Sequence, residues 1–255
     1  MSGIRYGVAL ASLGLGLLFQ PPLARAEFYL AGYLGASMNE YHDVVLADDV
    51  AFGPGGVRLR MKEVKLEASF SRGGKLGYWF GRFPNLGIEV DAYHYNPVIV
   101  AQSRLSMGTL RGRSVPYETK VKIGDVSGVD RATVRVEGIG FLLMGRLRFR
   151  QSADFPNGRL QPYAGVGPGL FLEEFQFKPV SNRNVNLTQV GFQGIGGVRY
   201  FFHRNVAAFA EYKFNYVDAP VRYDAFGTGA RSTSYSTAIS SHHLSGGVAL
   251  HFDVF

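Results

Sequence analysis

The sequence predicts an all-β chain closed as an eight-stranded antiparallel transmembrane β-barrel, and three observations carry that expectation. The first is the stretch Thr188 to Val217. Large apolar residues fall at even positions, with Val190, Phe192, Val198, Tyr200 and Phe202 before the break His203-Arg204-Asn205 and Val206, Ala208, Ala210, Tyr212, Phe214 and Tyr216 after it. The odd positions carry Gln189, Gln193, Arg199, Glu211, Lys213 and Asn215. Two period-2 runs joined by a short polar connection make a β-hairpin, and each arm is long enough to cross a bilayer obliquely. The second observation is composition: 33 glycines, 20 phenylalanines and 14 tyrosines suit curved, closely packed strands with aromatic girdles. The third is a mean hydropathy of +0.01 with no later run of apolar residues long enough for a spanning helix, which is the balance an apolar exterior and a polar interior produce together.

The chain opens with the features of a secretory signal. Arg5 supplies a positive start, Val8 to Phe19 is apolar, and Ala24-Arg25-Ala26 is a small-residue cleavage site. An N-terminal membrane anchor is disfavoured, because the apolar run is short and Pro21-Pro22 follows at once. Cleavage after Ala26 leaves 229 residues, one domain, and removes Arg5 and Arg25, so the net charge falls from +7 to +5. The absence of cysteine excludes a disulfide framework, a thiolate metal site and a thiol nucleophile.

Parity then sets the strands in order. Glu27 to Ser37 places Phe28, Leu30 and Leu34 on one face and Tyr29 and Tyr33 on the other. Met38 to about Lys62 reads as a polar loop. The second strand starts as early as Val64 and carries Leu66, Ala68, Phe70, Leu76, Tyr78 and Phe80 across an irregularity at Arg72-Gly73-Gly74. After the turn Phe83-Pro84-Asn85, the third sets Ile88, Val90 and Ala92 against Glu89, Asp91, Tyr93 and Tyr95. A basic loop from about Gln102 to Asp130 precedes the fourth, Arg131 to Arg150, where Ile139, Phe141, Leu143, Leu147 and Phe149 oppose Arg146 and Arg148. The fifth, Arg159 to Phe177, contains Pro168 and is expected to bulge or bend there. Lys178 to Asn186 is a loop before the hairpin, Asp218 to Ile239 a further Ser, Thr and Gly-rich loop, and Ser240 to Phe252 the eighth strand.

Short connections at Phe83 to Asn85, Gln151 to Gly158 and His203 to Asn205 alternate with long ones, as periplasmic turns alternate with outer loops. A soluble sandwich or lipocalin-like cup also alternates, with the apolar face turned inward. Strand length and aromatics gathered near strand ends, at Tyr78, Phe80, Phe149, Tyr200, Phe202 and Phe252, argue for the membrane orientation.

Five segments resemble the outer-membrane β-barrel family related to the membrane domain of outer membrane protein A. They are Gly77-Tyr78-Trp79-Phe80, Leu86-Gly87-Ile88-Glu89-Val90-Asp91, Pro162-Tyr163-Ala164-Gly165-Val166-Gly167, Phe209-Ala210-Glu211-Tyr212-Lys213-Phe214 and Gly246-Gly247-Val248-Ala249-Leu250-His251-Phe252. The resemblance implies insertion by the outer-membrane assembly machinery of a Gram-negative bacterium, which reads an aromatic-ended last strand. Here the alternation ends at Phe252 and Asp253-Val254-Phe255 is extra, so the lipid-facing register is set on Phe252. The peptidoglycan-binding domain that follows the barrel in some relatives is not expected here.

On this parity the lumen holds Glu89, Asp91, Arg146, Arg148, Glu173, Arg199, Glu211 and Lys213, and buried charges of both signs are expected to pair into a network that plugs a narrow barrel. A gated ion path through the same charges is the rival. A lipid A-modifying hydrolase is a third reading, since His243 and Ser245 resemble the His-x-Ser of the lipid A 3-O-deacylase family. In that family, however, Asn follows the serine and the acid lies on a further strand, whereas here Gly246 follows and both residues fall on the interior parity. No catalytic residue, cofactor or metal site is therefore assigned, and His42, His94 and His242 have no metal-ligand spacing. Arg58, Arg60, Lys62 and Lys65 in one outer loop, and Arg104, Arg111, Arg113, Lys120 and Lys122 in the next, are either solvated charge or contacts for lipopolysaccharide phosphates. The expectation is a monomeric outer-membrane barrel with a structural or surface-interaction role, in contact with membrane lipid and not with nucleic acid.

Overall fold

The computed structural model describes residues 26–41, 43–48, 57–62, 67–100, 103–110, 113–115, 120–122, 131–176, 184–223 and 233–254. Eight long strands form the wall: β1 (Ala26–Tyr41), β2 (Ser69–Trp79), β3 (Leu86–Tyr95), β4 (Arg131–Arg146), β5 (Leu160–Gln176), β6 (Asn184–His203), β7 (Val206–Tyr223) and β8 (Thr233–Val254). Each pairs antiparallel with the next, and β8 returns to β1 from Ala26↔Val254 to Tyr41↔Ile239, so the sheet closes. Closure leaves the wall no open edge, which is the only way a sheet can satisfy its backbone in lipid.

The period-2 pattern decides which face looks inward. Leu30, Leu34, Leu76, Ile88, Phe141, Leu143, Phe192 and Leu244 are exposed on the outside, while Tyr29, Tyr33, Trp79, Tyr163 and Phe209 are buried inside. Phe149, Tyr200, Phe202 and Phe252 are exposed near the short-turn end, with Tyr78 packed edge-on against Phe80 at 5.7 Å. They form one aromatic girdle at the end that is periplasmic in outer-membrane barrels. On β8, Phe252 is outward and His251 is 2% exposed, so the lipid register lies on Phe252 as expected.

Three local expectations need correction. Arg72-Gly73-Gly74 is no irregularity: β2 keeps its parity with Ser71, Lys75 and Trp79 all inward. Pro168 causes no bulge either. The β4–β5 register is the same on both sides of it, from Gly140↔Gly169 to Leu143↔Val166, and only the pairs between are missing from the ladder. Proline removes one donor there, while the β6 side of the strand pairs without interruption.

The third correction concerns the segments read as loops. Asp43–Asp48 pairs with β8 at Ser234–Ser236 and with Val57–Lys62, which in turn pairs with Ser103–Leu110. Both β7 and β8 run well into the segment 218–239, pairing Asp218↔Ala238 through Tyr223↔Thr233. Past the membrane both faces of a strand meet water, so the apolar alternation disappears although the backbone ladder continues. Residue 64, where the second strand was expected to begin, lies outside the described residues.

The only tryptophan of the chain, Trp79, is 1% exposed and lies beneath the Arg146 guanidinium at 4.3 Å. Brominated acyl chains are expected to leave its emission unchanged, and to quench a tryptophan placed at Phe141 in a Trp79→Phe background. Strong quenching of Trp79 itself would reverse the assignment of faces.

Candidate functional site in the barrel lumen

Every other residue of eight tilted strands projects into a bore that side chains can fill. At mid-height Lys75 on β2 donates to Glu89 Oε1 at 2.8 Å and to both oxygens of Glu211, at 2.8 and 2.6 Å. Tyr29 donates to Glu89, and Tyr163 donates to Glu211 Oε2 at 2.9 Å. Beside this triad Lys213 pairs with Asp91, whose oxygens also accept from Tyr33 at 2.7 Å and Gln193 at 2.8 Å. Lys213 further lies 3.8 Å from the centre of the Tyr93 ring. Both lysines and all three carboxylates are no more than 2% exposed.

These contacts join walls that are far apart around the ring. Lys75 and Glu211 are three strands apart, and Asp91 on β3 and Lys213 on β7 stand four apart, directly opposite in an eight-strand ring. The side chains therefore reach across the bore instead of lying along one wall.

A second cluster sits toward the short-turn end. Arg146 donates to Glu27 Oε2 at 2.5 Å, to Gln161 at 3.1 Å and to the Pro84 carbonyl at 2.8 Å. Glu27 also meets His251 and accepts from Asn157 at 3.2 Å. Arg199 lies between the two clusters, 4.3 Å from the Tyr29 ring and 5.1 Å from that of Tyr163, with Nη1 3.3 Å from His251. Its charge is held by aromatic faces, which attract cations when water is excluded. A vestibule of about 860 Å³ opens at the short-turn end, and Glu27, Gln161 and His251 line it.

Of the expected lumen charges, Glu89, Asp91, Arg146, Glu211 and Lys213 meet in ion pairs, Arg199 is stacked on aromatic rings, and Glu173 is buried with one oxygen lacking a hydrogen-bond partner. Arg148 is the exception. It lies past the end of β4, half-buried, with Nε donating to Asn85 at 3.0 Å, because the strand stops at Arg146 and the chain turns. Three participants were missed. Lys75 lies beside the expected irregularity at Arg72-Gly73-Gly74, although its odd position matches Tyr29 and Glu89. Glu27 stands at the first strand position, where alternation has no preceding residue to establish it, and His251 shows its role only through Glu27.

His243 and Ser245 also face inward. His243 Nε2 lies 3.0 Å from Asn215 and 3.1 Å from Ser241, and the Ser245 hydroxyl donates to the Glu211 carbonyl at 3.4 Å. Among the basic outer residues, Arg58, Arg60 and Lys62 fall in the strand Val57–Lys62 and Arg113 in Arg113–Val115, while Arg111 lies outside the described residues.

A closed antiparallel ring, apolar outside and charged within, defines a small outer-membrane β-barrel. The model of the outer membrane protein beta-barrel domain family matches residues 10–252, and the chain belongs to that family, as its resemblance to the barrel of outer membrane protein A implies. Its members reside in the outer membrane of Gram-negative bacteria. No curated protein matches the chain. Among solved structures, the outer membrane protein OprG from Pseudomonas aeruginosa is similar at 14% identity and a TM-score of 0.55, with 91% of this chain and 97% of that one covered. Neisserial surface protein A is similar at 15% identity and a TM-score of 0.50, with 88% and 97% covered. At these identities the likeness concerns the fold.

Proposed function

We propose that the protein is a non-conducting, non-catalytic outer-membrane barrel whose wall and lumen are a scaffold for surface interactions. The observation that carries this reading is the pair of cross-lumen ion-pair clusters, Lys75 with Glu89 and Glu211, and Lys213 with Asp91. An ion entering the bore must displace buried, mutually paired charges, and separating such a pair leaves each partner uncompensated. The export signal ending at Ala26, delivery by the outer-membrane assembly machinery and a monomeric state complete the reading. Lipopolysaccharide is the proposed partner of the basic outer residues Arg58, Arg60, Lys62, Arg111 and Arg113, since phosphates attract clustered Lys and Arg.

Planar-bilayer recording of the refolded barrel in molar KCl is expected to give no stable open steps, and mass spectrometry of lipid A from membranes holding the protein to give an unchanged acyl pattern. Regular open steps would make it a channel. Loss of an acyl chain that Ser245→Ala abolishes would make it an enzyme.

A further inference from the structure

The lipid-facing wall carries a feature that the lumen does not explain. Three successive outward rows run across β1 to β4 at right angles to the strands. Leu30, Leu76, Val90 and Phe141 make one row by register, all exposed and apolar. The next row is Gly32, Gly74, Ala92 and Ile139, and three of its four members are too small to fill the wall. The third is Leu34, Arg72, His94 and Glu137. Small residues between a row of large apolar side chains and a charged row leave a trough of about 860 Å³ on the outer face, lined by Gly32, Leu34, Arg72, Ala92, His94 and Glu137 among others.

Charges on a lipid-facing wall are costly, by about 2–4 kcal/mol for Arg at mid-bilayer and less near the surface, and they mark function by default. Arg72 stands six residues along β2 from the girdle residue Tyr78. With a rise of about 3.3 Å per residue and a strand tilt of about 40°, that is about 15 Å above the girdle, in an apolar band about 25 Å tall. The charged row thus lies in the outer-leaflet half, close enough for a long side chain to reach headgroup level. Arg72 has no carboxylate partner among the described residues. Glu137 holds Arg135, one outward position further along β4, at 3.3 Å and lies 4.0 Å from His94, so one carboxylate fixes a second cation on the same face of the wall.

We propose that this trough seats a phosphorylated glycolipid of the outer leaflet, of the lipid A class, with an acyl chain along Gly32, Gly74 and Ala92 and a phosphate on Arg72. Two arginines suit the phosphate, and Glu137 beside His94 supplies an acceptor for the hydroxyl and amide hydrogens of a sugar headgroup. Phosphatidylglycerol offers glycerol hydroxyls but no amide hydrogens, and its phosphate is a diester with a single negative charge. The inference rests on insertion in the outer membrane and is separate from the loop contact proposed above.

The trough can be filled without disturbing the barrel. A Cβ at Gly32 meets nothing within 4 Å, and one at Gly74 meets only the Ala31 carbonyl oxygen at 3.5 Å. The experiment is native mass spectrometry of the refolded barrel with bisphosphorylated lipid A, with dephosphorylated lipid A and with phosphatidylglycerol. Heat-dependent gel mobility and flotation with vesicles first establish that each variant is folded and inserted. One bound lipid A is expected on the wild type, weakened about tenfold or more in Arg72→Gln/Arg135→Gln, in Gly32→Leu/Gly74→Leu and on removal of the phosphates. Equal retention of phosphatidylglycerol, unchanged binding in both variants, or a trough occupied by a second copy would overturn the proposal. Loss confined to Arg58→Gln/Arg60→Gln would overturn it too and leave the loop contact standing. Failure of the wild type to float would refute insertion itself.

Discussion

Replacing Lys75 by Met is expected to lower the unfolding free energy of the barrel by about 3–5 kcal/mol, the cost of leaving buried charge without its partner. The substitution keeps an unbranched side chain of similar length but removes the one cation that lies between Glu89 and Glu211. Those two carboxylates, each no more than 2% exposed, then face one another across the bore with the Tyr29 and Tyr163 hydroxyls as hydrogen-bond donors and no cation between them. Removing the negative charges as well should reverse most of the loss, so Lys75→Met/Glu89→Gln/Glu211→Gln is expected to recover the larger part. Urea unfolding in lipid vesicles, followed by tryptophan emission, measures both. A Lys75→Met barrel within about 0.5 kcal/mol of wild type, as a surface substitution would be, would mean the lumen is wet and the triad contributes little.

The second large effect concerns the wall. A Cβ added at Gly167 would stand 1.9 Å from the Phe141 carbonyl oxygen, 2.9 Å from its carbon and 3.1 Å from the Leu142 Cα. All three are backbone atoms of β4, so no side chain can rotate away to make room. This is also where the β4–β5 ladder is interrupted beside Pro168, and the two strands approach without the intervening hydrogen bonds. Gly167→Ala is therefore expected to cost about 1–3 kcal/mol, the usual penalty of forcing extra volume into packed structure. Gly32→Ala, whose Cβ meets open space, should stay within about 0.5 kcal/mol. The urea midpoints of the two variants decide the matter, and equal midpoints would show that the wall yields freely at Gly167.

The lumen was legible in part for a simple reason. Period-2 alternation assigns each residue to a face without any knowledge of its neighbours, which is why Glu89, Asp91, Glu211 and Lys213 were expected together inside. It cannot tell which of them touch. The pairing of Lys213 with Asp91 instead of Glu211, two residues away on its own strand, depends on strand order and register around the ring. Lys75 falls on the same inward parity, carried across the irregularity expected at Arg72-Gly73-Gly74, yet parity alone gives no reason to add it to the set until the ring brings Glu89 and Glu211 onto it. Arg148 erred in the other direction, because parity continued past the point where the chain turns away.

Local periodicity and turn residues suffice for the membrane-facing and lumen-facing sets, the eight strands and the alternation of short and long connections. How far the strands run beyond the membrane shows only in the folded barrel, because water on both faces erases the pattern there. Only it set Glu27 of the first strand between Arg146 and His251 of the last, since closing the ring makes the two ends neighbours. The trough on the outer wall has the same origin. Gly32, Gly74 and Ala92 are far apart in the chain, and antiparallel register alone lines them up beneath Arg72.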